Sequence, residues 1–121
     1  MIKLAKKYGV ICIADEVFTG FGRTGTWFAC NKLSEEPDIM CLSKALTGGF
    51  LPLGLTLVSE EIFNGFYSDK PKHTFLHGHS FTGNPLSCCA ANASLDLFIQ
   101  DKTWARIAGI EESLKLFSFW I

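Results

Sequence analysis

The sequence predicts an α/β fold, a mostly parallel sheet flanked by helices. Three observations point there. Short runs that are apolar at every position recur along the chain, stretches with helical character separate them, and polar residues stand directly after the runs. In chain order, Leu4 to Tyr8 read as the last turns of a helix, with Lys6 and Lys7 where cations favour a C-terminus and Gly9 placed to stop it. Val10-Ile11-Cys12-Ile13-Ala14, β-branched at three positions, reads as a strand buried on both faces. Ile39-Met40-Cys41-Leu42 reads as a second strand and Leu53 to Val58 as a third. Ser59-Glu60-Glu61 supplies a cap and first turn for a helix reaching Phe66. Ser68 to Asn84 has no period and holds all three histidines. Pro85 to Gln100 is the clearest helix, opened by proline, and a last helix is expected to begin near Asp101.

Composition excludes several classes of function. The chain has 121 residues, 48% apolar and 19% charged, against about 25% charged in ordinary soluble domains. Much of its exterior is therefore expected to be covered. The 11 basic and 12 acidic side chains are scattered, with no basic run, so nucleic acid is not expected as a partner. No apolar stretch approaches the roughly 20 residues of a membrane span, and Met1 to Lys7 lack the features of a signal peptide. Five cysteines without a CxxC pattern read as reduced, buried thiols of a cytoplasmic protein.

In a parallel sheet, ligands bind beyond the carboxyl ends of the strands. Asp15 follows the first strand and Lys44 the second, so parallel strands would deliver a carboxylate and an amine to one edge. Three chemistries compete for it. Gly20-x-Gly22-x-x-Gly25 has the form of a dinucleotide-binding loop, with Asp38 about where a ribose-binding acid belongs. Five residues separate the strand from Gly20, however, and Arg23 to Trp27 is a poor helix opening. His73, His77 and His79, with Asp69, could form a metal-binding loop, yet no cysteine pair or distal carboxylate stands at ligand spacing. The third chemistry joins Asp15 and Lys44 to the loop Gly78 to Pro85.

The residues of this third reading form a series. It comprises Ala14-Asp15-Glu16-Val17, Thr19 to Gly25, Pro37-Asp38-Ile39, Ser43-Lys44-Ala45-Leu46-Thr47-Gly48-Gly49, Pro52-Leu53-Gly54 and His77 to Leu86. In order and spacing, to about Phe98, the series resembles the class III pyridoxal-phosphate aminotransferases. The resemblance implies that Lys44 forms the Schiff base with pyridoxal 5'-phosphate and then moves a proton between substrate and cofactor carbons. It implies that Asp15 pairs with the pyridine nitrogen, that Val17 packs on the ring, and that Ser80 binds the phosphate of the other subunit of a homodimer. Arg23 either orients a substrate carboxylate or anchors the glycine loop by an ion pair. Gly78 is a further substrate-binding candidate, and no metal is implied. Trp27 and Phe28 are expected in the core.

Many family members carry glutamine at the position of Phe18, near the cofactor's ring hydroxyl, and that polar contact is missing here. Phe75 to Leu86 and Cys88 to Leu95 resemble instead the branch acting in biotin biosynthesis. That branch passes an amino group from S-adenosylmethionine to 8-amino-7-oxononanoate, giving 7,8-diaminononanoate, and some of its relatives take lysine as donor. The resemblance further implies that residues 1–121 are part of the large domain of a fold-type I transferase, without its N-terminal part and C-terminal small domain. Residues 113–121 depart from the family and read as an aberrant end. A truncated, catalytically incompetent fragment is therefore the alternative, and the chain expressed alone is expected to aggregate or to co-purify with chaperones.

Overall fold

The computed structural model describes residues 1–100 and 102–118. The elements run α1 (Ile2–Lys7), β1 (Ile13–Asp15), a 3₁₀ turn (Ala29–Lys32), β2 (Ile39–Leu42), a second 3₁₀ turn (Lys44–Thr47), β3 (Leu55–Val58), α2 (Glu60–Phe66), a short 3₁₀ turn (Pro71–His73), α3 (Pro85–Gln100) and α4 (Thr103–Ser118). The strands form one sheet in the order β1-β2-β3. The expected α/β class holds, and β1 and β2 are parallel, with Asp15 beside Cys41. β3 runs antiparallel to β2, pairing Leu42 with Leu55. Its connection explains the reversal. A parallel return needs a crossover, usually helical, whereas residues 43–54 fold back through a 3₁₀ turn and the left-handed Gly48 (φ 62°) and Gly49 (φ 76°).

Most element boundaries follow their local chemistry. Gly9 ends α1 in the left-handed region (φ 67°), its N–H bonded to the Lys6 carbonyl at 3.0 Å. Ser59 Oγ accepts the Ile62 N–H at 3.4 Å at the start of α2. The first strand is shorter than expected. Cys12 gives its N–H to Asp38 Oδ2 at 2.7 Å, so this donor goes to a side chain and ladder pairing begins at Ile13. Asp101, the expected start of the last helix, lies outside the described residues, as do residues 119–121 of the expected aberrant end. Residues 113–118 continue α4 as regular helix.

The core forms where the first glycine-rich turn, the sheet and α3 meet. Phe21, Leu42, Leu46 and Ala91 are buried together, with Trp27, Phe28, Leu95 and Phe98 packed around them. Trp27, Phe98 and Trp104 extend the cluster onto α4, with ring centroids 4.8 to 6.0 Å apart. Gly22 (φ 88°) lies directly beneath α4, where a Cβ would come within 2.4 Å of Ile107 Cδ1. The expectation of strands buried on both faces is not met. Ile13 is 63% exposed and all four residues of β3 are exposed, because α3 packs at the second 3₁₀ turn and leaves these side chains open. Nor are the cysteines uniformly buried: all five are free thiols, but Cys30 alone is buried and Cys89 is exposed on α3.

One buried polar group organises the turn after β1. Glu16 is 2% exposed, and its carboxylate accepts the Cys30 N–H at 2.7 Å, the Ala29 N–H at 3.0 Å and the Thr19 hydroxyl. Its own backbone bonds to the Cys41 carbonyl and the Gly20 N–H. Burial acts to raise its pKa, but the hydrogen bonds from Thr19, Cys30 and Ala29 outweigh it and hold the carboxyl below its ordinary value. Burial also pushes the Cys30 thiol up, and the neighbouring carboxylate acts in the same direction.

Because the folded pKa of Glu16 is depressed, its stabilising contribution is complete above the unfolded value and is lost as pH falls through the folded one. Protection of the Ala29 and Cys30 amides against hydrogen exchange, measured relative to α3, should therefore decline below about pH 4.5. In Glu16→Gln that decline should disappear. Glu16→Ala should weaken the closure by about 3 kcal/mol at neutral pH, seen as faster exchange at the same two amides.

Candidate functional site

Parallel pairing places the carboxyl ends of β1 and β2 at one edge of the sheet. Asp15 is the last residue of β1, opposite Cys41, and Lys44 stands three residues beyond Cys41. Both are exposed. Asp15 Oδ1 accepts the Val17 N–H at 3.1 Å, and among the described residues nothing donates to its second oxygen. This bond turns the chain sharply, leaving Val17 half-buried and Phe18 on the surface.

Lys44 has φ 48°, a left-handed conformation that costs a side-chain-bearing residue about 1–3 kcal/mol. Its neighbours impose it. Ser43 Oγ donates to the Leu53 carbonyl at 2.6 Å, Thr47 Oγ1 donates to the Leu51 carbonyl at 2.6 Å, and the Gly49 N–H closes on the Lys44 carbonyl at 3.1 Å. The strained residue is thus held between the end of β2 and the chain returning toward β3.

Phe18 connects the edge to the glycine turn. Its ring centroid lies 4.9 Å from Lys44 Nζ and 5.3 Å from Arg23 Cζ. Arg23 forms no ion pair among the described residues, so anchoring of the loop by a salt bridge is not what the structure contains. The turn itself is closed by backbone bonds from Phe21 to Trp27 at 2.6 Å and from Gly22 to Thr26 at 3.1 Å. No helix opens at Gly25, so the dinucleotide-loop geometry does not form.

Gly78 and Ser80 lie on the loop between the third 3₁₀ turn and α3. His79 Nδ1 accepts the Phe81 N–H at 3.1 Å, and the His79 N–H is donated to Thr82 Oγ1 at 3.0 Å, which curls the backbone around an exposed Ser80. An open cleft of about 880 Å³ separates this loop from the Leu51–Gly54 return, with Ser43, Thr56, His77, Gly78 and Asn84 on its walls. Asp15, Lys44 and Ser80 do not line it. The structure sets Asp15, Val17 and Lys44 at the carboxyl edge of β1 and β2, joins Arg23 to it through Phe18, and places Ser80 on the loop before α3. The three histidines do not assemble a metal site: among the described residues no three His, Cys, Asp or Glu side chains converge.

Three contributions escaped the sequence reading: the buried role of Glu16, the contact of Phe18 with two cations, and the capping of α3 by Asn84. Asn84 Oδ1 accepts the N–H groups of Leu86 and Ser87 at 3.0 and 3.2 Å. Its signal was present, since Asn-Pro before an apolar helical run marks an N-cap followed by proline at the first helical position. Glu16 left a fainter one, a threonine three residues on at the mouth of a glycine-rich turn.

Residues 1–116 match the family model described as Aminotransferase class-III. The adenosylmethionine-8-amino-7-oxononanoate aminotransferase of Synechococcus elongatus is 55% identical over 105 residues, covering 87% of this chain and 24% of the relative. The chain spans about a quarter of the length of such curated relatives. Among solved structures, the crystal structure of adenosylmethionine-8-amino-7-oxononanoate aminotransferase from Methanocaldococcus jannaschii superposes with a TM-score of 0.84 at 45% identity, over 96% of this chain and 27% of that one. Taurine:2-oxoglutarate aminotransferase from Bifidobacterium kashiwanohense, solved in complex with PLP and glutamate, gives a TM-score of 0.85 at 35% identity, over 95% and 25%. No described helix is long and apolar enough to cross a membrane.

Asn84→Ala should cost about 1 kcal/mol at the first turn of α3. Hydrogen exchange at Leu86 and Ser87 should accelerate by roughly 5-fold, while exchange at Ala29 and Cys30 should stay unchanged.

Proposed function

This chain belongs to the class-III aminotransferase family, and from that premise we propose that it forms part of an enzyme of biotin synthesis. The enzyme passes an amino group from S-adenosylmethionine to 8-amino-7-oxononanoate, giving 7,8-diaminononanoate. The observation that carries this reading is the parallel register of β1 and β2, which sets a carboxylate and an amine on the same edge. The names of the curated relatives support the substrate pair. The enzyme acts in the cytoplasm as a homodimer.

The edge residues suit pyridoxal 5'-phosphate. Asp15 has one oxygen occupied by the Val17 N–H and the other available to a protonated ring nitrogen. The Lys44 amine is exposed, with no acidic partner among the described residues. When bound, the cofactor supplies an aldehyde and a ring that accepts the electron pair left by a broken carbon–hydrogen bond.

Each residue then has a defined task. Lys44 Nζ holds the cofactor at the end of β2 and, once displaced, carries a proton between the substrate carbon and the cofactor carbon. Asp15 keeps a proton on the ring nitrogen by its negative charge. Val17, fixed by the same turn, packs on one face of the ring. Arg23 orients a substrate carboxylate, and Gly78 contributes to substrate binding. Ser80, exposed on the loop before α3, gives its hydroxyl to the phosphate in the partner subunit's site.

Adding pyridoxal phosphate to the chain should produce a visible absorbance band that is absent in Lys44→Ala. Amino transfer by the assembled enzyme should fall by roughly 10²- to 10⁴-fold or more in that variant. A band that persists without Lys44 would overturn its assignment, and no band in the unsubstituted chain would sink activity for this chain alone.

A further inference from the structure

We propose that Phe18 is a positioning residue for Lys44, its ring holding the Lys44 ammonium and the Arg23 guanidinium together at the carboxyl edge of the sheet. The inference rests on the reading of Lys44 as the cofactor-binding amine. Phe18 is 61% exposed, and it is not one of the core residues around Phe21 and Leu42. Its contacts are instead with two cations, Lys44 Nζ at 4.9 Å and Arg23 Cζ at 5.3 Å, both inside the roughly 6 Å over which the negative face of an aromatic ring attracts positive charge.

Neither cation has a carboxylate partner among the described residues. The ring is therefore the group that draws them in. A free lysine side chain samples many rotamers at an exposed site, and a ring contact selects those that keep Nζ beside the turn after β1. That turn follows directly on Asp15, the last residue of β1 and three residues before Phe18. The aromatic side chain thus keeps the amine, by a quadrupole, beside the turn that follows β1. Leucine at this position would keep the apolar contact and lose the attraction.

The test reads Lys44 directly and without cofactor. The chain is treated with limiting acetic anhydride at one fixed pH, and acetylation of Lys44 is measured by mass spectrometry relative to Lys6 and Lys7 of α1. Phe18→Leu should raise the relative labelling of Lys44 by roughly 2- to 5-fold, the scale of one exposed cation–π contact. Phe18→Tyr should restore it. An unchanged ratio in Phe18→Leu, or a tyrosine variant that behaves like leucine, would overturn the proposal. If the labelling responds as expected while pyridoxal phosphate gives no band, positioning by Phe18 stands and the cofactor reading alone fails.

Discussion

The site edge depends on a carboxylate that takes no part in the chemistry. Glu16 follows the last residue of β1 and is buried with three donors on its side chain. Those donors come from the turn it begins and from the 3₁₀ turn 13 and 14 residues further on. The glycine-rich segment between is thereby closed into a loop. Closure sends Phe21 into the core against Phe28 and Phe98, and leaves Phe18 and Arg23 outside beside Lys44. A buried charge is tolerated only where its hydrogen bonds are made, and here backbone N–H groups that would otherwise lack partners make them. One acid thus shapes both the interior of the turn and its exterior.

Much of this arrangement was legible in the sequence because its causes are local. Continuous apolar runs located β2, Gly9 and Ser59 located helix ends, and Pro85 opened α3 where it was expected. The convergence of Asp15 with Lys44 needed one further assumption, parallel pairing of the first two strands, and that holds. What stayed hidden depends on contacts distant in sequence. The capture of Cys12 by Asp38 spans 26 residues and shortens β1. The direction of β3 depends on how residues 43–54 fold, and an apolar run carries no sign of strand direction.

The exposure of the strands has a related origin. An apolar run states that burial is favourable, not which partner supplies it. Ile13 and the β3 side chains satisfy the pattern of a buried parallel sheet while remaining open to water in this chain. The shortage of charged residues agrees with that, since 19% charged leaves few polar groups to interrupt the apolar surface.

Lys44 shows how a reactive position can be built without relying on the reactive side chain. Its left-handed backbone is held by Ser43 on the Leu53 carbonyl, by Thr47 on the Leu51 carbonyl and by the Gly49 N–H on its own carbonyl. None of these bonds uses the lysine amine. The side chain contributes little to the turn that strains it, so the backbone keeps its shape whatever the Nζ group contacts. Strain of about 1–3 kcal/mol is comparable to what the three hydrogen bonds contribute together, at about 1 kcal/mol each, so all three are needed to hold it. The constraint thus lies in the neighbours of Lys44 and not in its amine.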